Sequence, residues 1–238
     1  MPKAGSAQFS LLTLDGASLL GAKVKAFAWS PEALQEDTTG LGDSWTESTP
    51  TGIRRAVVSQ SGAYFDTAAA GMHETLRAMP LPARTLIWSP DGVLLFRAVG
   101  TLVTTYEVLA TNGALTKANV VYTISGALES GGAVIQAPED KTSTWTGPTI
   151  DNGTSTAGGG QTTQIVTAKD PGITGFVGKL RHSTDGSSWV DLAVFANVTT
   201  APNQQTMPVV GTINRYLQYV GTITGTGTIR VSSGLFRN

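Results

Sequence analysis

Aspartate followed by glycine recurs at Asp15-Gly16, Asp91-Gly92 and Asp185-Gly186, each time between stretches that read as strands. Glycine turns the chain at positive φ without a steric penalty, and the aspartate carboxylate caps the amides that follow. Three such turns commit much of the chain to antiparallel hairpins. The 28 glycines, with abundant Thr, Ser and Val, extend that reading to an all-β fold. Between the first two turns, Val24, Ala26 and Ala28 alternate with Lys23, Lys25, Phe27 and Trp29. Residues 31–52 carry Pro31, Gly40, Gly42, Pro50 and Gly52 and read as a long polar loop. "IRRAVVSQSGAYFD" then reads as a strand with neither face cleanly apolar, which suits a second face that meets another subunit or a polar channel.

"DTAAAGMHETLRAM" is the one convincing helix, expected near 67–79. Asp66 or Thr67 caps it, Met72, Leu76 and Met79 form its apolar stripe, and Pro80 and Pro82 stop it. Beyond the Pro90-Asp91-Gly92 hairpin, Ala118, Val120, Tyr122 and Ile124 point to one side of a strand that Gly131-Gly132 interrupts. Composition changes near residue 137, where a boundary is expected between domains 1–137 and 138–238. The second domain again reads as strands, "QTTQIVTA", "GFVGKLRHS", "SWVDLAVFA", "INRYLQYVGTI" and "GTIRVSSGLF". Their spacing fits a small sandwich, with Gly158-Gly159-Gly160 as an internal loop.

Only 14% of the residues are charged, against roughly 25% in ordinary soluble domains. Such a chain covers its surface with neutral polar groups or buries it against copies of itself. The net charge of −1 leaves no basic footprint for nucleic acid. Residues 1–137 carry 9 basic and 11 acidic groups, and residues 138–238 carry 7 and 6. There is no cysteine, no signal-peptide pattern and no apolar run long enough for a membrane helix, so a soluble protein assembled in the cytoplasm is expected.

Candidate chemistry is sparse. His73 has no metal-ligating partner at i+4, since Arg77 stands there. The serines lack a Gly-x-Ser-x-Gly elbow, and the Gly158–Gly160 run opens a strand, not a phosphate-binding helix. Glu36-Asp37 and Glu139-Asp140 read as solvated loop pairs. His182, Asp185 and Trp189 are a possible surface-binding group around the third Asp-Gly turn. Trp145, Trp189, Tyr216 and Tyr219 are either sugar-stacking or core aromatics. No catalytic residue, metal site or cofactor is expected, and the chain reads as non-enzymatic.

Residues 36–136 resemble the tail tube (major tail) protein family of long-tailed bacteriophages. The matching stretches are "EDTTGLGDSW", Pro50-Thr51-Gly52, "VVSQSGAYFD", the helix, "SPDG" and "GTLVTTYEV", leading on to "ALTKANVVYTISGALESGG". The resemblance implies a tail-tube-like β-sandwich or barrel with one flanking α-helix. It implies hexameric or pseudo-hexameric rings that self-assemble into stacks, located in the virion tail, through which DNA is ejected without specific binding. Tape measure, tail terminator and tail-tip proteins are the implied partners, with no membrane involved. The loop over 36–52 would touch the next ring through Asp43, Trp45 and Glu47, with Arg54 and Arg55 facing acids of a neighbour. Residues 175–236 are similar to C-terminal parts of phage virion proteins and to jelly-roll binding modules, implying a C-terminal jelly-roll or Ig-like β-sandwich. The alternative reading is a host-surface, carbohydrate-binding or decoration protein of a phage virion.

Overall fold

The computed structural model describes residues 9–20, 23–37, 48–65, 71–77 and 82–238. The first half of the chain forms β1 (Leu11–Leu14), β2 (Ala17–Ser18), β3 (Ala26–Asp37), β4 (Ser48–Tyr64), α1 (Met72–Leu76), β5 (Arg84–Ser89), β6 (Leu94–Leu109), β7 (Lys117–Ile124) and β8 (Leu128–Lys141). The second forms β9 (Trp145–Thr146), β10 (Ile150–Asp151), β11 (Gly160–Lys169), β12 (Ile173–Ser183), β13 (Val190–Val194), β14 (Asn203–Val209), β15 (Tyr216–Gly225) and β16 (Ile229–Arg237). The fold is all-β, with one short helix among the described residues.

Two compact units share this chain. Unit 1 holds the described residues of Met1–Leu20, Leu86–Arg97 and Glu129–Asn238, and unit 2 those of Gly21–Thr85 and Ala98–Leu128. The boundary expected near residue 137 falls inside β8.

In unit 1, one sheet runs β14-β11-β16-β8-β6-β5-β1-β2, and a second runs β10-β15-β12-β13 with β9 also on β15. A core of Ile135, Val166, Phe176, Leu180, Phe195, Leu217, Tyr219, Val231 and Leu235 draws on strands of both sheets. Leu11, Ile87, Leu95, Ile165 and Phe236 form a separate cluster. Ile165 and Val166 are neighbours in sequence and project to opposite sides, so β11 is buried on both faces. That burial takes in Thr162, Thr163 and Ser233, whose hydroxyls donate to Gly234 O, Gln205 O and Thr163 O at 2.9, 3.1 and 2.9 Å.

The Asp-Gly turns form as their chemistry requires. Gly16, Gly92 and Gly186 have φ of +87°, +75° and +73°. The Asp91 carboxylate accepts from the Val93 and Leu94 amides at 2.9 and 2.7 Å. The Asp185 carboxylate accepts from those of Ser187 and Ser188, both at 2.8 Å.

Unit 2 carries an antiparallel sheet in the order β3-β4-β7-β6, with the C-terminal half of β6 at one end and β3 at the other. Ala118, Val120, Tyr122 and Ile124 are buried along one face of β7, as the alternation predicts. Ala56, Val58 and Gln60 of β4 lie opposite Ile124, Tyr122 and Val120 on that face. A bulge between Gln60 and Ala63 then returns Ala63 to the buried side.

Several sequence expectations need correction. The long loop over 31–52 is largely strand: β3 and β4 pair from Ala26↔Ser61 out to Asp37↔Ser48. Pro31 and Pro50 are tolerated there because backbone pairing continues around them, with a bulge between Ala33 and Gln35. The helix is one turn, Met72–Leu76, and its N-cap is Gly71 without a side-chain bond. Asp66, Thr67 and Met79 lie outside the described residues. Gly131-Gly132 sits within β8, and the interruption falls earlier, at Ser125–Ala127. There, a Cβ on Gly126 would overlap Val99 O. Glu139 and Asp140 are strand residues paired with Lys141 and Arg230, not loop acids. Strand β14, "NQQTMPV", has no alternation that would announce it.

Candidate functional site

Sheet pairing in unit 2 sorts its side chains onto two faces. The covered face packs Met72 and Leu76 of α1 among the buried residues of the unit, both nearly inaccessible to solvent. Gln60 and Thr101 are polar residues buried on that face, and Thr101 Oγ1 donates to Ala98 O at 2.9 Å. Gln60 reaches two side chains. Its Nε2 donates to Met72 Sδ at 2.9 Å, and its Oε1 accepts from Tyr122 Oη at 3.2 Å. Burial raises the Tyr122 phenol far above its ordinary pKa, so it stays a neutral donor.

The opposite face is open and polar. Glu32 lies across from Arg55, Ala28 from Ser59, and Ala26 from Ser61. Val57 lies across from Thr123 and Ser59 from Val121, while Glu107 lies across from Asn119 and Leu109 from Lys117. Asn119 Nδ2 donates to Glu107 Oε2 at 3.2 Å, and Thr104 Oγ1 donates to Val121 O at 3.2 Å. Arg55 thus faces Glu32, Glu107 faces Asn119, and Lys117 lies between Leu109 and Tyr64, whose ring has Lys25 Nζ over it at 5.6 Å. The face carries charges of both signs. Strand β3 is exposed along Ala28–Ala33, and Trp29, opposite Val58 on the other face, retains 39% of its accessible surface.

Of the sequence-predicted contact residues, Asp43, Trp45 and Glu47 lie outside the described residues. Arg54 lies opposite Ala33 in the β3–β4 register, and Arg55 is exposed opposite Glu32.

His182, Asp185 and Trp189 each have their own surroundings. Asp185 is spent on its own turn, where the Ser188 and Ser187 amides and the Ser183 hydroxyl hold its pKa far below the usual carboxylate range. His182 Nδ1 accepts the Asn214 amide at 3.2 Å, and partial burial lowers its pKa, so the ring is a neutral acceptor. Trp189 is half-buried just before β13.

The remaining aromatics divide between core and surface. Trp145 stacks on Phe176 at 5.7 Å and donates to Gln136 Oε1 at 3.2 Å. Tyr219 is fully buried, and its hydroxyl donates to Gln164 Oε1 at 2.6 Å. Tyr216 lies at the surface under Arg215, whose guanidinium also grips Asp151 at 2.7 and 2.6 Å. That grip lowers the Asp151 pKa to about 2. His73 pairs with Tyr106 Oη at 2.8 Å and packs on Phe65 at 4.3 Å. Among the described residues, no group of three or more His, Asp or Glu side chains is placed to hold a metal ion.

Sequence reasoning missed the Arg97 cluster. Arg97 is 3% exposed, donates to Glu129 and Gln161 at 2.7 and 2.6 Å, and lies over the Phe236 ring at 5.1 Å. The only sequence signal was an arginine inside the apolar run "LLFRAV".

No protein-family model matches the chain, and no curated protein matches it. Among solved structures it is similar to a chain of the virion of a native gene transfer agent particle, at 20% identity and a TM-score of 0.42. That match covers 54% of this chain and 98% of that one. A chain from the tail of an empty gene transfer agent particle with C6 symmetry gives 17% identity and a TM-score of 0.43 over the same shares. The SPP1 Dit protein, described as a hub of the adsorption apparatus of phages infecting Gram-positive hosts, gives 12% identity and a TM-score of 0.32. It spans 96% of this chain and 99% of its own. At these identities and scores, the likenesses carry no functional assignment.

Proposed function

We propose that the chain is a structural subunit of a phage-type tail that self-assembles into stacked hexameric or pseudo-hexameric rings, forming the tube through which DNA is ejected. The observation that carries this reading is the unit 2 sheet, which among the described residues has two end strands and an open face of mixed charge. An exposed end strand offers backbone donors and acceptors to another chain. Joining β3 of one copy to the C-terminal half of β6 in the next makes a heterologous contact, and repeating it around an axis closes a ring. The open faces then line the lumen. Phosphates bind strongly to clustered cations, and Glu32 opposite Arg55 and Glu107 opposite Asn119 put anions among the cations of this face. The motif resemblance over residues 36–136 supports the same reading. The segment over 36–52, with Asp43, Trp45 and Glu47, makes the contact to the next ring in this proposal.

Negative-stain microscopy of the purified chain tests this directly. Rings or long tubes are expected. A preparation that stays monomeric at high concentration would sink the proposal.

A further inference from the structure

The chain contains two Asn-Gly pairs, Asn112-Gly113 and Asn152-Gly153, and the fold treats them differently. Asn-Gly is the dipeptide in which a side-chain amide carbon is most easily attacked by the following peptide nitrogen, because glycine has no Cβ to hinder the approach. We infer that Asn112 is a site of spontaneous deamidation in the folded protein, and that the fold protects Asn152.

Asn112 and Gly113 occupy the tip of the β6–β7 hairpin. Residues 107–115 are all exposed, and a Cβ built on Gly113, at φ +77°, would meet nothing within 4 Å. One backbone bond spans the tip, from the Ala114 amide to Thr111 O at 3.0 Å. Ring-closing conformations are therefore reached by a local fluctuation that disturbs no packed side chain.

The second pair is tied down. The Gly153 amide, which would be the nucleophile, is held by Asp151 Oδ1 at 2.8 Å, and that carboxylate is itself gripped by Arg215. The Asn152 amide donates to Arg215 O at 3.0 Å, and the Thr154 amide donates to Asn152 O at 2.9 Å. Asn152 is half-buried, with its Nδ2 shut away from solvent. Closing the ring there requires breaking several of these bonds.

The chemistry balances without a cofactor. The Gly113 nitrogen bonds to Asn112 Cγ as the Cγ–Nδ2 bond breaks. The leaving nitrogen departs as ammonia, carrying the proton given up by the Gly113 N–H. Water then opens the succinimide at either carbonyl, leaving an aspartyl or isoaspartyl linkage. The amide becomes a carboxylate, taking the formal net charge from −1 to −2. The new charge sits beside exposed Val108, Leu109 and Leu115.

The test is to incubate the full native chain in mildly alkaline buffer, digest it with trypsin, and follow both sites by mass spectrometry. Peptides 98–117 and 142–169 each contain one of the two Asn-Gly pairs and no other asparagine. Aspartyl and isoaspartyl products are expected at Asn112 on the order of tenfold faster than at Asn152, with the two rates converging in guanidinium chloride. Asn112→Gln should suppress ammonia release from the native chain. Equal native rates, faster reaction at Asn152, or an inert Asn112 in a native chain whose unfolded form reacts, would each overturn the inference.

Discussion

Gly178 shows how a single residue sets the unit 1 interior. It lies opposite Gly221 in the β12–β15 ladder, and a Cβ there would overlap both Gln164 Oε1 and the Tyr219 hydroxyl. Gly178→Ala is expected to destabilise unit 1 by about 2–4 kcal/mol, combining overpacking with loss of a buried hydrogen bond. Tyr219→Phe removes only the donor and should cost about 1–3 kcal/mol. Urea unfolding monitored by tryptophan fluorescence separates the two, and equal midpoints for wild type and Gly178→Ala would refute the account. His182 makes unit 1 sensitive to acid. Its folded pKa is depressed, so its contribution is present above the ordinary imidazole range and is lost as pH falls through the folded value. Protonation would set an N–H against the Asn214 amide. Asp151 behaves likewise further down: its contribution is lost as pH falls from the normal carboxylate range toward about 2. Unfolding midpoints measured against pH should decline in two stages, with His182→Gln flattening the first and Asp151→Asn the second. The turn aspartates were readable from sequence because a local motif fixes their partners. Gln164 and Arg97 were not, because their partners lie far away along the chain.

Elements built on local rules were legible, and elements built on pairing were not. The alternation of Ala118, Val120, Tyr122 and Ile124 predicted the buried face of β7 residue for residue. The helix shrank to one turn because Gly71 provides no side-chain cap and the turn rests on burying Met72 and Leu76. Leu76→Ala should accordingly cost unit 2 about 2–5 kcal/mol, read as a lowered denaturant midpoint. The extension of β3 and β4 through Pro31 and Pro50 was invisible, since each strand is specified by the other and neither carries its own period. If β3 is the ring-closing strand, Ala28→Lys should abolish rings while leaving far-UV circular dichroism unchanged. Persistent rings would move the contact elsewhere. Trp45→Ala tests the other assigned contact. Isolated rings in place of tubes are expected in micrographs, and tubes of normal length would release Trp45 from that role.

For the molecule as a whole, composition indicated the class and concealed the arrangement. Its 28 glycines with abundant Thr, Ser and Val read as a β protein, and its 14% charged residues fit either a neutral polar surface or one buried against copies of itself. That reading came from totals along the chain, and totals cannot record which distant strands meet. The core of unit 1 draws Ile135 from β8 together with residues of β11 to β16. Deleting residues 138–238 should therefore leave β1, β5 and the start of β8 without most of their sheet. Insoluble protein is expected, and a soluble, cooperatively melting fragment would contradict the arrangement.

The interleaving of the two units also orders their birth on the ribosome. Every residue of unit 2 has been made once Leu128 is joined, whereas unit 1 contains β1 near the start and β16 at the end. At about 5–20 residues per second, the remaining stretch takes on the order of 5–20 seconds to emerge. Throughout that interval the apolar side chains of β1, β5 and the first turns of β6 wait for β11 and β16. Within unit 1, the strand made last is the one that lets the strand made first be buried, since Phe236 of β16 packs in one cluster with Leu11 of β1.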